Sequence, residues 1–234
     1  NAPLWDEFNP YLYDASVELV SGKSTSLTTE TFGLRDIRHE GNKLVLNEKP
    51  IFLRGTLECC IFPLTGTPPT DEASWEKLYA SAREYGMNHL RFHSWCPPEA
   101  AFNVADEMGF YVQVELPVWS VTLGKDSATV EFLRAEAKRI SKEYGNHPSF
   151  CFWSIGNELQ YDFNILASML GEMKLQTTAI YIPPRRLHLK KVTATGRKTR
   201  MISSSLSGPR KDGYVDREYS IRNCRHSIKI SVHP

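Results

Sequence analysis

Hydrophobic residues along this chain recur in two alternating rhythms, one helical and one extended. Trp75, Leu78, Tyr79, Ala82 and Tyr85 fall three or four residues apart, the spacing of a single buried helix stripe. Thr70 or Asp71 is placed to cap that helix, and Gly86 to end it. A second set, Ala101, Phe102, Ala105 and Met108, follows Pro98, which suits the first helical position, and Gly109 closes it. Leu133, Ala137, Ile140 and Tyr144 mark a third helix. Ile165, Leu166, Met169, Leu170 and Met173 mark a fourth, beginning near Asp162. The runs between them are short and bulky: Ile51 to Arg54, Met87 to Phe92, Phe110 to Leu116 and Phe150 to Ile155. Such runs suit strands buried on both faces, as in parallel sheets. Gly145 is expected to turn left-handed at the end of the third helix, and Pro148 to stop the helix resuming.

Strand and helix alternating at this pitch predict a parallel sheet with helices outside it. Four such units span residues 39–174, half of the eight that close a (β/α)8 barrel. No Gly-rich phosphate loop follows any of the strands, which disfavours a Rossmann fold. The fold class is therefore α/β, a partial TIM barrel. Ahead of it, Ser16 to Val20 alternates like a half-exposed strand. Ser21-Gly22-Lys23-Ser24 reads as a turn and Thr28 to Phe32 as a partner strand. A hairpin alone is marginal in water, so residues 1–38 need the barrel to pack against. Two short strands around Asn47-Glu48-Lys49-Pro50 lead into the barrel.

Hydrophobic residues at 41% and charged residues at 24% are ordinary for a soluble globular protein. No apolar run approaches a membrane span. The start, Asn1-Ala2-Pro3, carries neither an initiator Met nor a signal peptide, so an internal piece or a mature form is expected. Five cysteines, Cys59, Cys60, Cys96, Cys151 and Cys224, show no metal-ligand spacing, and no metal or cofactor is expected. The net charge of +1 conceals a break: residues 175–234 carry 13 Lys+Arg against 3 Asp+Glu, while residues 1–174 carry 15 against 24. This basic segment lacks a strand–helix rhythm. Regrouping the codons implied from Ala179 onward by one base yields aromatic-rich runs separated by Gly, Pro and Asn. The expectation is a reading-frame slip near Lys174 to Ala179, with 175–234 not natively folded.

The candidate chemistry centres on Asn146-His147-Pro148-Ser149, a bulky strand, Trp153-Ser154, then Asn157-Glu158. A carboxyl just past a barrel strand stands where catalytic side chains sit, although first-turn carboxylates also serve as helix caps. The whole stretch resembles the acid/base signature of glycoside hydrolase family 2, the family of β-galactosidases, β-glucuronidases and β-mannosidases. The resemblance covers about half of the catalytic barrel. It also makes Trp5, with Asn9-Pro10-Tyr11-Leu12-Tyr13, the end of an immunoglobulin-like β-sandwich. It implies Glu158 as general acid/base, its carboxyl protonated in the first step, and Asn157 as the partner of the sugar 2-hydroxyl. Arg91, at the end of the second strand, matches the family's arginine. His93-Ser94 stands where Ser-His is common, so the role of His93 is weaker. Glu115 ends the third strand, as substrate contact or as an ion-pair partner of Arg91. Trp95 and Trp119 are candidates to stack on sugar faces.

The resemblance implies a retaining exo-β-glycosidase that acts on a terminal β-linked sugar, β-galactoside first and β-glucuronide next. Retention needs a second carboxylate about 5–5.5 Å away. Glu218 is the one glutamate after residue 174 and stands in no matching context, so no nucleophile is assigned. The chain alone is expected to be inactive and, as half a barrel, to self-associate. The alternatives are a carbohydrate-binding barrel remnant held by Trp95 and Trp119, or a nucleic-acid binder acting through the basic tail. The family's polysaccharide-degrading members are often exported, which points towards a periplasmic or secreted site.

Overall fold

The computed structural model describes residues 2–21, 23–176, 179–182 and 226–233. The chain opens with β1 (Tyr13–Ser21) and β2 (Ser24–Phe32), then β3 (Ile37–Glu40), β4 (Lys43–Leu46) and β5 (Lys49–Ile51). The alternating part follows: β6 (Gly55–Glu58), α1 (Glu72–Glu84), β7 (His89–Phe92), α2 (Glu99–Met108) and β8 (Tyr111–Glu115). It continues through β9 (Thr122–Leu123), α3 (Ser127–Tyr144), β10 (Phe150–Ser154), β11 (Gln160–Tyr161) and α4 (Phe163–Lys174). β12 (Ile180–Ile182) and β13 (His226–His233) complete the described elements.

Five strands form one parallel sheet in the order β12-β10-β8-β7-β6, which is the wall of a part-barrel. Val112, Val114, Leu90, Phe92 and Trp153 belong to the core that also holds buried residues of all four helices. The opposite pleat of the wall carries polar groups: Arg91 registers with Gln113, and Glu115 with Ser154. Alternation thus separates an apolar outer layer from an inner face that is aromatic at Tyr111 and Phe152 and polar towards the C-terminal strand ends. Asp71, Asp126 and Asp162 cap α1, α3 and α4 by accepting backbone N–H bonds, as such side chains do at orphaned helix starts.

Several expectations shift. The first barrel strand is β6, not Ile51 to Arg54; Ile51 instead pairs with Leu44 in the antiparallel β3-β4-β5 sheet. Asn47 and Glu48 both take positive φ, and this two-residue turn fixes that pairing (Leu46 opposite Lys49). The barrel wall starts at Gly55, which pairs with His89 and where a Cβ would fall 2.3 Å from His89 Nδ1. Gly145 caps α3 but is right-handed at φ −64°, not left-handed; its N–H donates to Ser141 O, and a Cβ there would lie 2.3 Å from that oxygen. Pro98 is the N-cap rather than the first helical residue. Tyr85 is exposed at the end of α1 instead of joining its buried stripe.

The expected hairpin is present, with Ser21 opposite Ser24, and β13 adds a third antiparallel strand on β1. The N-terminal segment does pack on the barrel. Trp5 is fully buried beside Tyr111, and its indole donates to the Asp106 carbonyl at 2.7 Å. Arg35 donates to the carbonyls of Pro148 and Phe150, at the entry to β10. Trp5, Ile37, Leu46, Tyr111, Cys151 and Phe152 form a second core that closes the N-terminal end of the sheet. No helix among the described residues is long and apolar enough to cross a membrane.

His89 sits on the inner face of β7, buried between Gly55 and the edge of Phe152. Burial, then the charge of Arg91, lowers its pKa to about 4. The unfolded chain, with an ordinary imidazole near 6.5, binds a proton that the folded chain refuses between those two values. Stability is therefore full above about pH 6.5 and falls as pH drops towards 4, by roughly 3 kcal/mol for this one group. Urea unfolding at pH 7 and pH 5 should show about 2 kcal/mol of that loss in the wild type, the rest coming below pH 5, and a smaller loss in His89→Gln. Equal losses in both would remove His89 as the cause.

Candidate active site

The C-terminal rim of the wall is assembled from three strand ends. β7 delivers Arg91, β8 delivers Glu115, and the segment leaving β10 delivers Asn157 and Glu158. Arg91 Nε donates to Glu115 Oε1 at 2.7 Å, and its Nη2 donates to Asn157 Oδ1 at 2.7 Å. The other oxygen of Glu115 accepts from the backbone N–H of Ser94 at 2.8 Å. The Glu115 side chain is 1% exposed, so this carboxylate is buried only because both oxygens are bonded. Gln113 Nε2 reaches the same Oε1 at 3.4 Å. A guanidinium has donors only, so it turns the Asn157 oxygen towards itself and leaves the amino group to donate elsewhere.

Two rim segments run side by side. Asn157 N donates to Val118 O, and Ser120 N donates back to Asn157 O, both at 3.1 Å. Gln160 N then bonds Val121 O, and β11 pairs in parallel with β9. Gly156 makes this approach possible. Its φ is +150°, and a Cβ there would lie 2.4 Å from Val118 O. The strap brings Trp119 over Glu158, whose Oε2 accepts from the indole Nε1 at 3.0 Å. Glu158 itself sits at φ +50°, a conformation unusual for glutamate and held by the bonds on either side.

The remaining candidates divide. His93 joins the group, its ring edge-on to Trp119 at 5.3 Å between centroids. Trp95 does not. Its ring packs with Trp75, Phe92 and Phe62, and its indole donates to the Glu58 carbonyl at 3.3 Å. It fills the layer between wall and helices rather than the rim. Beside it, a cavity of about 580 Å³ lies between Pro68, Pro97, Ile140 and Tyr144, on the helix side of the wall. The Asn157–Glu158 rim stands open instead, as the described strands do not close around it.

Two partners were not among the sequence candidates: Gln113 and the Ser94 backbone N–H. A signal for Gln113 exists, because it is a polar residue two before Glu115 in an otherwise apolar strand and so shares its face. Ser94 has no such signal; its positive φ of 59° aims the N–H, and that is set by the turn. Part of the 146–158 stretch proves to be architectural. His147 Nδ1 and the Ser149 N–H both bond the buried Asp106 carboxylate, at 2.6 and 2.9 Å, and lock the entry of β10 to α2. At the rim of β6, burial raises the Glu58 carboxyl above the usual range, partly offset by the Cys60 N–H. Among the described residues no group of three or more His, Cys, Asp or Glu is placed to hold a metal ion.

Residues 37–179 match the family model described as glycosyl hydrolases family 2, TIM barrel domain. The chain belongs to glycosyl hydrolase family 2. The family match ends at residue 179, where the basic segment has begun. A β-glucuronidase of Streptococcus agalactiae serotype V is 29% identical over 171 residues, covering 66% of this family 2 chain and 28% of the relative. The solved apo structure of Bacteroides uniformis β-glucuronidase 3 is 25% identical with a TM-score of 0.67, covering 78% of this chain and 25% of its own. A β-D-glucuronidase of Dictyoglomus thermophilum reaches a TM-score of 0.72 at 24% identity, over 78% of this chain and 34% of that one, which bears on the fold alone. The chain thus spans roughly a quarter to a third of the length of these relatives.

Proposed function

We propose that this chain is the acid/base-bearing part of a retaining exo-β-glycosidase, with Glu158 as the general acid/base. The observation that carries this is the placement of Asn157-Glu158 at the C-terminal rim, with Asn157 oriented by Arg91 and Glu158 held by Trp119. Glu158 protonates the leaving glycosidic oxygen and later takes a proton from water. The Asn157 amino group donates to the sugar 2-hydroxyl. The second carboxylate attacks the anomeric carbon and is not assigned in this chain; Glu218 lies outside the described residues. The substrate proposed is a terminal β-glucuronide, because the relatives above are named β-glucuronidases; none of those names supports the β-galactoside placed first from sequence.

Three further readings accompany this one. The β1–β2 hairpin is assigned to the end of an immunoglobulin-like sandwich, supported by structural matches that cover 78% of the chain, more than residues 37–179 alone. The segment 175–234 is read as frameshifted, supported by the family match stopping at 179. The open part-barrel is expected to self-associate. Phe52, Leu57, Ile61 and Leu64 are exposed around the β6 edge, and a strand edge with apolar neighbours recruits another copy. Sedimentation velocity should show species heavier than the 26.7 kDa monomer; a lone monomer boundary would remove this reading.

The functional test is hydrolysis of 4-nitrophenyl β-glucuronide and β-galactoside by the purified chain, and by the chain joined to a family 2 barrel's remaining half. The chain alone should be inactive for want of a nucleophile. The completed barrel should hydrolyse the glucuronide and lose roughly 10²–10⁴-fold of that rate in Glu158→Gln. Activity that survives Glu158→Gln would refute the acid/base assignment. Sugar binding that survives Glu158→Ala but fails in Trp119→Ala would favour the carbohydrate-binding remnant instead, a reading supported by the exposed ring of Trp119.

A further inference from the structure

We infer that Trp119 is a positioning residue for Glu158: its indole N–H holds Oε2 and confines the transferable proton to Oε1. The inference rests on the acid/base reading above and adds to it which oxygen works. Indole Nε1–H is a donor only. With Nε1 at 3.0 Å from Oε2, a proton on that oxygen would face the indole hydrogen. Oε1 is the oxygen without that restriction, so it is the one that gives up a proton to a leaving group and recovers it from water. A carboxyl free to rotate would present either oxygen; this one is held.

The hold depends on the surrounding structure rather than on one bond. The strap between Val118–Ser120 and Asn157 fixes the spacing of the two backbones. Gly156 lets them approach. His93, from the loop after β7, packs edge-on against the indole and limits its rotation. The other charged groups at the rim, Arg91 and Glu115, are paired with each other and do not contact the indole. The ring remains 58% exposed, so holding Glu158 leaves its face open to a sugar.

The test reads Trp119 emission in the full-length chain and needs no turnover. The difference between wild type and Trp119→Phe isolates this indole from the other four tryptophans. At neutral pH, where the fold keeps its full stability, Glu158→Ala should shift the Trp119 emission. Glu158→Gln, whose amide oxygen accepts the same bond, should restore it. An emission unmoved by Glu158→Ala, or one that Glu158→Gln fails to restore, would overturn the inference. Should these optical results hold while the completed barrel keeps its rate in Glu158→Gln, the hydrogen bond stands and the acid/base reading fails.

Discussion

Replacing Arg91 by Met should cost the folded chain roughly 3–5 kcal/mol, the usual penalty for stranding one member of a buried ion pair. The reason lies with Glu115. Its side chain is 1% exposed, and among the described residues Arg91 is the one cation paired with it. In the variant the carboxylate keeps the Ser94 N–H and the long contact from Gln113, neither of which offsets the desolvation of a charge. The measurement is the urea midpoint at constant m-value. A second variant decides whether the pair or the packing is responsible. Arg91→Met with Glu115→Leu removes both charges, and it should recover much of the loss because no buried carboxylate remains. A single-variant loss below about 1 kcal/mol would mean that water reaches Glu115. Asn157 loses its Arg91 contact in the same variant, so its amide is no longer held in one orientation.

What the sequence conveys about this rim follows from which forces act locally. The four helices are legible because each carries its own stripe and, at α1, α3 and α4, its own Asp cap. The start of the wall is not legible. Ile51 to Arg54 and Gly55 to Glu58 have comparable strand character, and the choice between them is made 34 residues away by the space beside His89. The two tryptophans make the same point. Trp95 and Trp119 each follow a barrel strand, yet one is drawn into an aromatic cluster with Trp75 and Phe92 while the other is carried over Glu158 by backbone pairing. Neither direction is encoded within a few residues. Gly145 shows a right residue with the wrong reason: it caps α3 in a right-handed conformation, and what requires glycine there is the close approach of Ser141 O, 2.3 Å from where a Cβ would stand. The fifth strand, Ile180–Ile182, escapes notice because three residues next to a basic run show no periodicity. Glu158 stands out in the sequence because the stretch from Asn146 to Glu158 is contiguous, although its Asn-His-Pro-Ser part fastens the entry of β10.

Gly156→Ala should be the most damaging single-atom addition at the rim. Its φ of +150° is a region that an L side chain tolerates at about 1–3 kcal/mol. The added methyl would also lie 2.4 Å from Val118 O and 2.6 Å from Val118 Cγ1. A flexible side chain could rotate away, but a carbonyl oxygen moves only with its backbone. Overpacking of this kind adds a further 1–3 kcal/mol, for about 2–6 kcal/mol in all. The chain has one way to relieve the clash, which is to part the two rim segments. That gives up the Asn157 N to Val118 O bond and the Ser120 N to Asn157 O bond together. Trp119 would then leave Glu158, and the carboxyl would turn freely. The variant should therefore show both a lower urea midpoint and the Trp119 emission of Glu158→Ala at neutral pH. Loss of stability without the emission change would mean that the segments stay together and the strain is absorbed in the turn. Neither change would mean that the Gly156–Val118 crossing is looser than 2.4 Å implies. The stability of this rim and the placement of Glu158 depend on the same glycine, because the backbone contact it allows is what carries Trp119 over the carboxyl.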